Sequence, residues 1–238
     1  FFWILLRIVC RITFLFLNYT LFLTNPQNLL IAFQNADLET IEALLIELNN
    51  AEKEKQILLE FADSSDRDVQ SFVYSKLYDY DGNDVIQAAV KGLQNEDEVV
   101  RISAIEIIGK QQVFEQLPAL INSLTDSDEL VRCYAAETIA FLGTNLKDQL
   151  VMQAKAEQDE VARTGLYYAL YSLGATEYLT ALLEFLDSES HVVVIRTIHH
   201  LVDIMNAANK DAILSAFHNL KKRELPVSIK EVLTEYLD

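Results

Sequence analysis

The sequence predicts an all-α fold, an α-solenoid built from stacked antiparallel helix pairs. One observation is a phrase that recurs at a step of 31 residues: Asp-Glu-Val-Val-Arg at 97–101, Asp-Glu-Leu-Val-Arg at 128–132 and Asp-Glu-Val-Ala-Arg at 159–163. Each phrase opens an apolar run with the spacing of an amphipathic helix. Two short helices cannot bury their apolar faces alone, so a series of such pairs must stack against one another.

Extending the step outward predicts five copies without a gap, from Ser64 to about Lys221. Positions separated by multiples of 31 residues are called a column below. The column that begins the first helix reads Asp66, Asp97, Asp128, Asp159 and Ser190, and an apolar column reads Leu77, Ile108, Ile139, Leu170 and Leu201. The outer copies lose the charged residues first, as expected of repeats that cap an array. We therefore divide the chain into an apolar segment at 1–24, a degenerate N-terminal repeat at 25–63, five repeats at 64–221 and a C-terminal capping half-repeat at 222–238.

Each copy is predicted to contain two helices. In the second copy the first helix spans about 97–110, and Asp97 suits its N-cap because a carboxylate accepts the free backbone N–H groups there. The second helix spans about 114–124, with Pro118 in its first turn, where a missing N–H costs least. The glycines near the ends of first helices are predicted to take the left-handed conformation that ends many helices: Gly109, Gly143 and Gly174.

The combination of Asp-x-x-Val-Arg, a small residue and then Leu/Ile-Gly, on a period near thirty, resembles the HEAT repeat. It is most similar to the short bacterial-type variety named after phycobilin lyases. The resemblance implies a ladder of ion pairs between neighbouring repeats, formed by Asp97, Asp128 and Asp159 with Arg101, Arg132 and Arg163. Such charge-assisted hydrogen bonds contribute about 1.5–3 kcal/mol each. We interpret these six residues as structural.

The resemblance also implies that the second helices line the concave face. Stepping by 31 residues along the second helices gives a polar column: Lys91, Asn122, Gln153 and Glu184. Gln87 lies beside this column, and these five residues are the candidate surface for a partner. The residue types vary, which suits a recognition surface and equally a plain solvated one. Tyr167 and Tyr168 point in different directions on a helix, so one of them, taken as Tyr168, is predicted to be exposed at a binding edge.

The charge of the chain is strongly negative. The formal net charge is −17, and residues 1–24 contribute +2, so the remainder carries −17 − 2 = −19. This field repels phosphate backbones and argues against nucleic-acid binding. It favours a basic protein partner, with a merely solvated acidic surface as the alternative. The stretch 37–68 is especially acidic and is a second candidate surface for such a partner.

No catalytic, cofactor or metal site is predicted. His199 and His200 are adjacent on a helix and diverge by about 100°, so they cannot both face one metal ion from that helix. Six glycines and three prolines leave little loop in which to build an active site. Cys10 and Cys133 suggest no disulfide framework, which is compatible with a reducing compartment.

Residues 1–24 differ sharply from the rest. Phe1–Leu23 approaches the length that spans a bilayer, but Arg7 and Arg11 interrupt it. The alternatives are a membrane or export segment, a false start of the chain, or an apolar helix packed on the first repeat. Membrane contact is expected only through 1–23, and the repeat body is expected in the cytoplasm.

The leading functional hypothesis is a non-catalytic scaffold that binds another, basic, protein. One version is an inhibitor or immunity protein that neutralises a basic toxin by electrostatic steering. The resemblance implies an enzymatic alternative, a phycobilin-lyase-like factor that attaches chromophores. The apolar start implies another alternative, a membrane-tethered adaptor.

Overall fold

The computed structural model describes residues 26–143 and 145–237, and within them it is built from α-helices and two short 3-10 turns, without a β-strand. This confirms the predicted all-α fold. The expectations for 1–24 lie outside the described residues. No helix in 26–143 or 145–237 is long and apolar enough to cross a membrane. The helices are α1 (Pro26–Gln34), α2 (Leu38–Leu48), α3 (Ala51–Phe61), α4 (Arg67–Leu77), α5 (Asn83–Gly92), α6 (Glu98–Lys110), α7 (Leu117–Ser123), α8 (Glu129–Phe141), α9 (Lys147–Ala156), α10 (Glu160–Ser172), α11 (Tyr178–Glu184), α12 (His191–Asp203), α13 (Lys210–Lys221) and α14 (Val227–Leu237).

The chain divides into two compact units, one ending at Ala88 and the other beginning at Ala89. The boundary falls inside α5, within the first predicted repeat. In the first unit the buried core contains Ile41, Leu58 and Val73. The rings of Phe33 and Phe61 stack there with centroids 3.9 Å apart, which joins α1 to α3.

The second unit contains α6 to α14, in which first helices (α6, α8, α10 and α12) alternate with second helices (α7, α9, α11 and α13). The last described helix, α14, packs on this row, with Ile229 and Leu233 buried against Ile198 and Phe217. The capping role of 222–238 stays a prediction.

The start of each first helix confirms the predicted cap. Asp97 accepts a hydrogen bond from the backbone N–H of Val99 at 2.7 Å, and Asp66 accepts from Val69 at 3.0 Å. The cap residues of the five first helices are Asp66, Asp97, Asp128, Asp159 and Ser190. Each side chain satisfies backbone donors that the helix itself leaves unpaired.

The ends of the first helices agree with prediction at two glycines and differ at the third. Gly143 and Gly174 have φ of 65° and 88°, in the left-handed region. Gly109 lies inside α6, and the residue with positive φ in that repeat is Gln112, at 53°. The reason is register, since Gln112, Gly143 and Gly174 form a column and Gly109 lies three positions before it. Gly109 instead packs against the side chain of Thr138.

Candidate functional site

Neighbouring first helices of the second unit approach one another closely. Gly165 on α10 lies against Cys133 on α8, and a Cβ at position 165 would come within 2.6 Å of both the carbonyl oxygen and Sγ of Cys133. Thr164 is fully buried beside it, with Oγ1 3.8 Å from the same sulfur. Small residues on α10 therefore let α8 and α10 pack with almost no space between their backbones.

Side chains of α8 and α12 also meet across α10. Glu137 on α8 is 2.8 Å from Nε2 of His200 and 2.5 Å from Nη2 of Arg196, both on α12. Packed helices lie 8–10 Å apart, so helices two repeats apart in a straight row would be separated by about 16–20 Å. Long side chains from both helices bridge α10 here. The expectation that the second helices line the concave face stays a prediction.

Glu137 is the centre of a buried polar cluster. Its carboxylate accepts from Cys133 Sγ at 3.1 Å as well as from Arg196 and His200. Burial opposes ionisation of Glu137, but the hydrogen bond and charge of His200, together with Arg196 and Cys133, outweigh burial and lower its pKa to about 2. Glu137 is therefore a carboxylate at neutral pH, held by donors from two repeats.

The Cys133 thiol in this cluster is unsuited to nucleophilic chemistry. The side chain is fully buried, and burial raises the pKa of the thiol, with the Glu137 charge acting in the same direction. The thiolate is the reactive form of cysteine, so a raised pKa makes the group inert. The cluster was missed by sequence reasoning because its members come from α8 and α12 and share no motif spacing.

Cys133, Glu137 and His200 supply sulfur, oxygen and nitrogen atoms that all lie within 4.8 Å of one another, the donor types that Zn²⁺ binds. The guanidinium of Arg196 lies on the same carboxylate. A divalent cation would have to approach this fixed positive charge, so the donor set fits a metal poorly. The arrangement fits a charge-compensated structural network better.

The surface of α6, α8 and α12 beside the buried cluster is called the inner face. Glu106 on α6 is half-buried, and the part of the chain that the structure describes gives it no hydrogen bond or ion pair. Burial raises the pKa of Glu106, and the Glu137 charge adds to the effect while Arg196 opposes it. Phe141, one turn beyond Glu137 on α8, is 66% exposed. The inner face consists of Glu106, Tyr134, Glu137, Phe141 and Arg196.

The predicted ladder of ion pairs exists with different acids. Nε and Nη2 of Arg101 donate to the carboxylate of Asp126 at 2.9 and 2.8 Å. Those of Arg132 donate to Glu157 at 2.8 and 3.2 Å. The predicted pairing of these arginines with Asp128 and Asp159 was therefore wrong. The reason is that the carboxylates of the Asp column are turned toward the helix N–H groups that they cap.

The acids that the arginines use belong to a column two residues before each cap. Asp126 and Glu157 also accept the backbone N–H of the cap residue, each at 2.9 Å. The same bond to the cap is made in all five repeats, by Ser64, Asn95, Asp126, Glu157 and Ser188. Every member has a side-chain acceptor, a signal that the 31-residue step could have shown.

Arg163 departs from this pattern. Its Nε and Nη2 both donate to the hydroxyl of Tyr167, at 3.2 and 2.7 Å. Its Cζ lies 5.3 Å from the centroid of the Tyr167 ring and 5.6 Å from that of Phe185. Within the described residues no carboxylate is bonded to Arg163, so the predicted ion pair with the Asp column is wrong here as well.

The residues predicted as a partner surface are only partly available. Four of them have exposed side chains. Gln153 is half-buried and donates to the carbonyl of Leu124 at 2.8 Å. Tyr168 is half-buried, stacks on His200 with centroids 4.7 Å apart and donates to Asp203. Gln87 lies in the first unit and the rest lie in the second. The four exposed residues are Gln87, Lys91, Asn122 and Glu184.

Comparison with known proteins gives a match to a family model and similarity to solved structures. No curated protein matches the chain by sequence. The chain is similar to the solved complex of CpcE and CpcF of phycocyanin lyase from Nostoc sp. PCC7120, at 17% identity and a TM-score of 0.47, over 77% of this chain and 94% of that chain. It is also similar to the designed armadillo repeat protein YIII(Dq)4CqI, at 18% identity and a TM-score of 0.34, over 77% of this chain and 99% of that chain. The sequence model of the HEAT repeats matches residues 86–171. With this match and the observed helix pairs, the chain is a HEAT-like repeat protein.

Proposed function

We propose that the chain is a non-catalytic scaffold that binds another protein, and that the partner places a basic side chain on the inner face. One observation carries the proposal. Glu106 is a half-buried carboxyl group without a direct ion pair among the described residues, and burial and the Glu137 charge raise its pKa while Arg196 offsets them only in part. A lysine or arginine from a partner would relieve that cost, because an opposite charge within about 4–6 Å favours the ionised carboxylate.

The inner face already shows how it holds such a cation. The guanidinium of Arg196 is 2.5 Å from Glu137, and its Cζ lies 4.5 Å from the centroid of the Tyr134 ring. A carboxylate and an aromatic ring thus hold one arginine, a combination of ion pairing and cation–π attraction. Glu106 and the exposed Phe141 are groups of the same two kinds, and no cation among the described residues forms a direct ion pair with Glu106.

The charge of the whole chain supports the same partner. Residues 25–238 carry a formal charge of −19. A field of this sign attracts basic proteins and speeds their encounter, and it weakens as salt is added. The repeat scaffold itself is compatible with protein binding, since stacked repeats present an extended continuous surface. An inhibitor of a basic protein is the version of this function that such steering suits best.

The non-catalytic part of the proposal is supported by the chemistry of the buried cluster. Cys133 is a buried thiol with a raised pKa, and Glu137 is engaged by three donors. Neither group is placed to act on a substrate from solution. The nucleophile and the general base that acyl-transfer or lyase chemistry needs are therefore hard to assign in this region.

The test is affinity capture from the native host lysate with the full chain immobilised, eluted by a salt gradient. Wild type is compared with Glu106→Gln and with Glu115→Gln. Glu115 is the matched control, since it is an exposed acid in the same repeat and its replacement removes the same charge. We expect a basic protein that elutes early in the gradient, is weakened by Glu106→Gln and is unaffected by Glu115→Gln.

Three outcomes would count against the proposal. Equal loss of the partner in both variants would mean that only the overall charge matters. Retention that salt does not weaken would place the contact away from the acidic surface. Recovery of chromophore-bearing proteins would favour the lyase-like alternative instead.

A further inference from the structure

We propose that Arg163 and the cavity around it form a binding site for a carboxylate group that comes from outside the repeats. The repeats themselves provide the reference for this inference. Arg101 and Arg132 occupy the same column as Arg163, and each holds both oxygens of a carboxylate from the following repeat. This paired geometry is the one in which a guanidinium recognises a carboxylate most strongly.

The fourth repeat has the arginine, but the following repeat supplies no acid to it. The column that supplies Asp126 and Glu157 continues as Ser188. The hydroxyl of Ser188 donates to Glu160 at 2.6 Å and accepts the N–H of Ser190 at 3.1 Å, so it serves the loop and the cap. Ser188 therefore supplies no carboxylate to Arg163. A carboxylate arriving from elsewhere would restore the interaction that the other two repeats make internally.

Tyr167 holds Arg163 meanwhile, but it is no counterion. Its hydroxyl is neutral, and it accepts from Nε and Nη2 only. The equivalent positions in the two preceding repeats are Ile105 and Ala136, which have no hydroxyl. The phenol therefore orients the guanidinium where the acid is missing and leaves its charge uncompensated by any carboxylate within hydrogen-bond distance in 26–143 or 145–237.

There is room for a ligand beside the guanidinium. A cavity of about 290 Å³ is lined by Arg163, Tyr167 and Tyr178 together with Lys155 and Gln158. Lys155 is exposed and adds a second positive charge. Glu157 also borders the cavity, but its carboxylate is bonded to Arg132 and to the N–H groups of Gln158 and Asp159. The charged groups left to a ligand are therefore the cations Arg163 and Lys155.

The planar guanidinium of Arg163 favours a carboxylate as the ligand group. It can come from an Asp or Glu side chain of a partner or from the C-terminus of a chain, which share the same chemistry. The site is separate from the inner face, which has the opposite charge preference. The inference is accordingly independent of the function proposed above, and either can fail alone.

The experiment is NMR of the arginine Nε–Hε groups in the full ¹⁵N-labelled chain, titrated with sodium acetate against sodium chloride at equal ionic strength. Arg163→Lys assigns the Arg163 signal, and Arg132, whose guanidinium already holds Glu157, is the internal control. We expect a saturable shift of the Arg163 signal with acetate, no such shift with chloride, and little change at Arg132.

A second variant and two peptides complete the test. Ser188→Asp should supply the missing acid, shift the Arg163 signal by itself and abolish the response to acetate. Two short peptides are compared: one has neutral side chains and a free C-terminus, and the other has an amidated C-terminus and one internal Glu. The comparison shows which source of carboxylate the cavity accepts. The site is refuted if acetate leaves the wild-type Arg163 signal unchanged, or if Arg132 and Arg163 respond equally.

Discussion

Glu137 and His200 are separated by 63 residues in the chain, yet the Glu137 carboxylate and Nε2 of His200 lie 2.8 Å apart. In a repeat array each unit normally contacts only its neighbours. This contact joins the third repeat directly to the fifth. It adds an interaction beyond nearest-neighbour packing to the middle of the second unit.

Replacement of Glu137 by Gln tests the weight of this contact. The side chain of Arg196 is only 16% exposed, so the variant leaves a largely buried charge without its counterion. We expect the free energy of unfolding to fall by about 3 kcal/mol or more. Glu184→Gln removes an exposed acid and is expected to change it by less than about 0.5 kcal/mol. Urea unfolding followed by circular dichroism measures both, and equal effects would refute a structural role for the cluster.

The same residue predicts a pH dependence. The pKa of Glu137 in the fold is about 2, below its ordinary value of 4.5. A carboxylate with a depressed pKa contributes stability that is fully present above its ordinary pKa and is lost as pH falls toward the folded value. The stability difference between wild type and Glu137→Gln should therefore shrink between about pH 4.5 and pH 2. A difference that stays constant over this range would contradict the assigned cause.

The arginine column gives a matched pair of variants. Arg132→Ala strands Glu157, whose side chain is 8% exposed, and should destabilise by about 2–4 kcal/mol. Arg163→Ala strands no carboxylate and removes hydrogen bonds to the Tyr167 hydroxyl and contacts with the Tyr167 and Phe185 rings, so only about 0.5–1.5 kcal/mol is expected. Thermal and urea unfolding measure the loss of stability in each variant. Should the two variants prove equally destabilising, the acid at Glu157 would not be the source of the difference.

Gly165→Ala tests the close approach of α8 and α10. The new Cβ would lie 2.6 Å from the carbonyl oxygen of Cys133, and a backbone atom cannot move aside without shifting α8. We expect a loss of about 1–3 kcal/mol. In the control, Gly109→Ala, the nearest atom is the Thr138 methyl group at 2.9 Å, and alanine improves helix propensity, so the cost should be smaller. Comparable unfolding midpoints for the two variants would contradict the close contact.

The 31-residue period predicted the fold class and the caps because both depend on local residue type. Asp97 caps its helix for the chemical reason that the sequence suggests. The period also placed Gly143 and Gly174 correctly at left-handed positions. The prediction for Gly109 was wrong because it relied on the glycine residue type. The left-handed position follows the 31-residue column, which contains Gln112 in this repeat.

The candidate sites depend on contacts that no local pattern encodes. Several acids lie near each arginine in the sequence, so the sequence alone could not show which acid pairs with it. The pairing depends on where the loops place Asp126 and Glu157. The contact of Glu137 with His200 depends on how closely the first helices pack. Gly165 allows the close approach of α8 and α10, a feature of packing that sequence spacing does not show.

The most direct measurement compares the inner face with the second-helix surface. A photoreactive benzoylphenylalanine is placed at Phe141 in one version of the full chain and at Asn122 in another, and each is irradiated in host lysate. The account predicts an adduct with a basic protein from position 141, lost at high salt and in the Glu106→Gln background. An adduct formed from position 122 and not from 141 would contradict it and return the binding surface to the second helices.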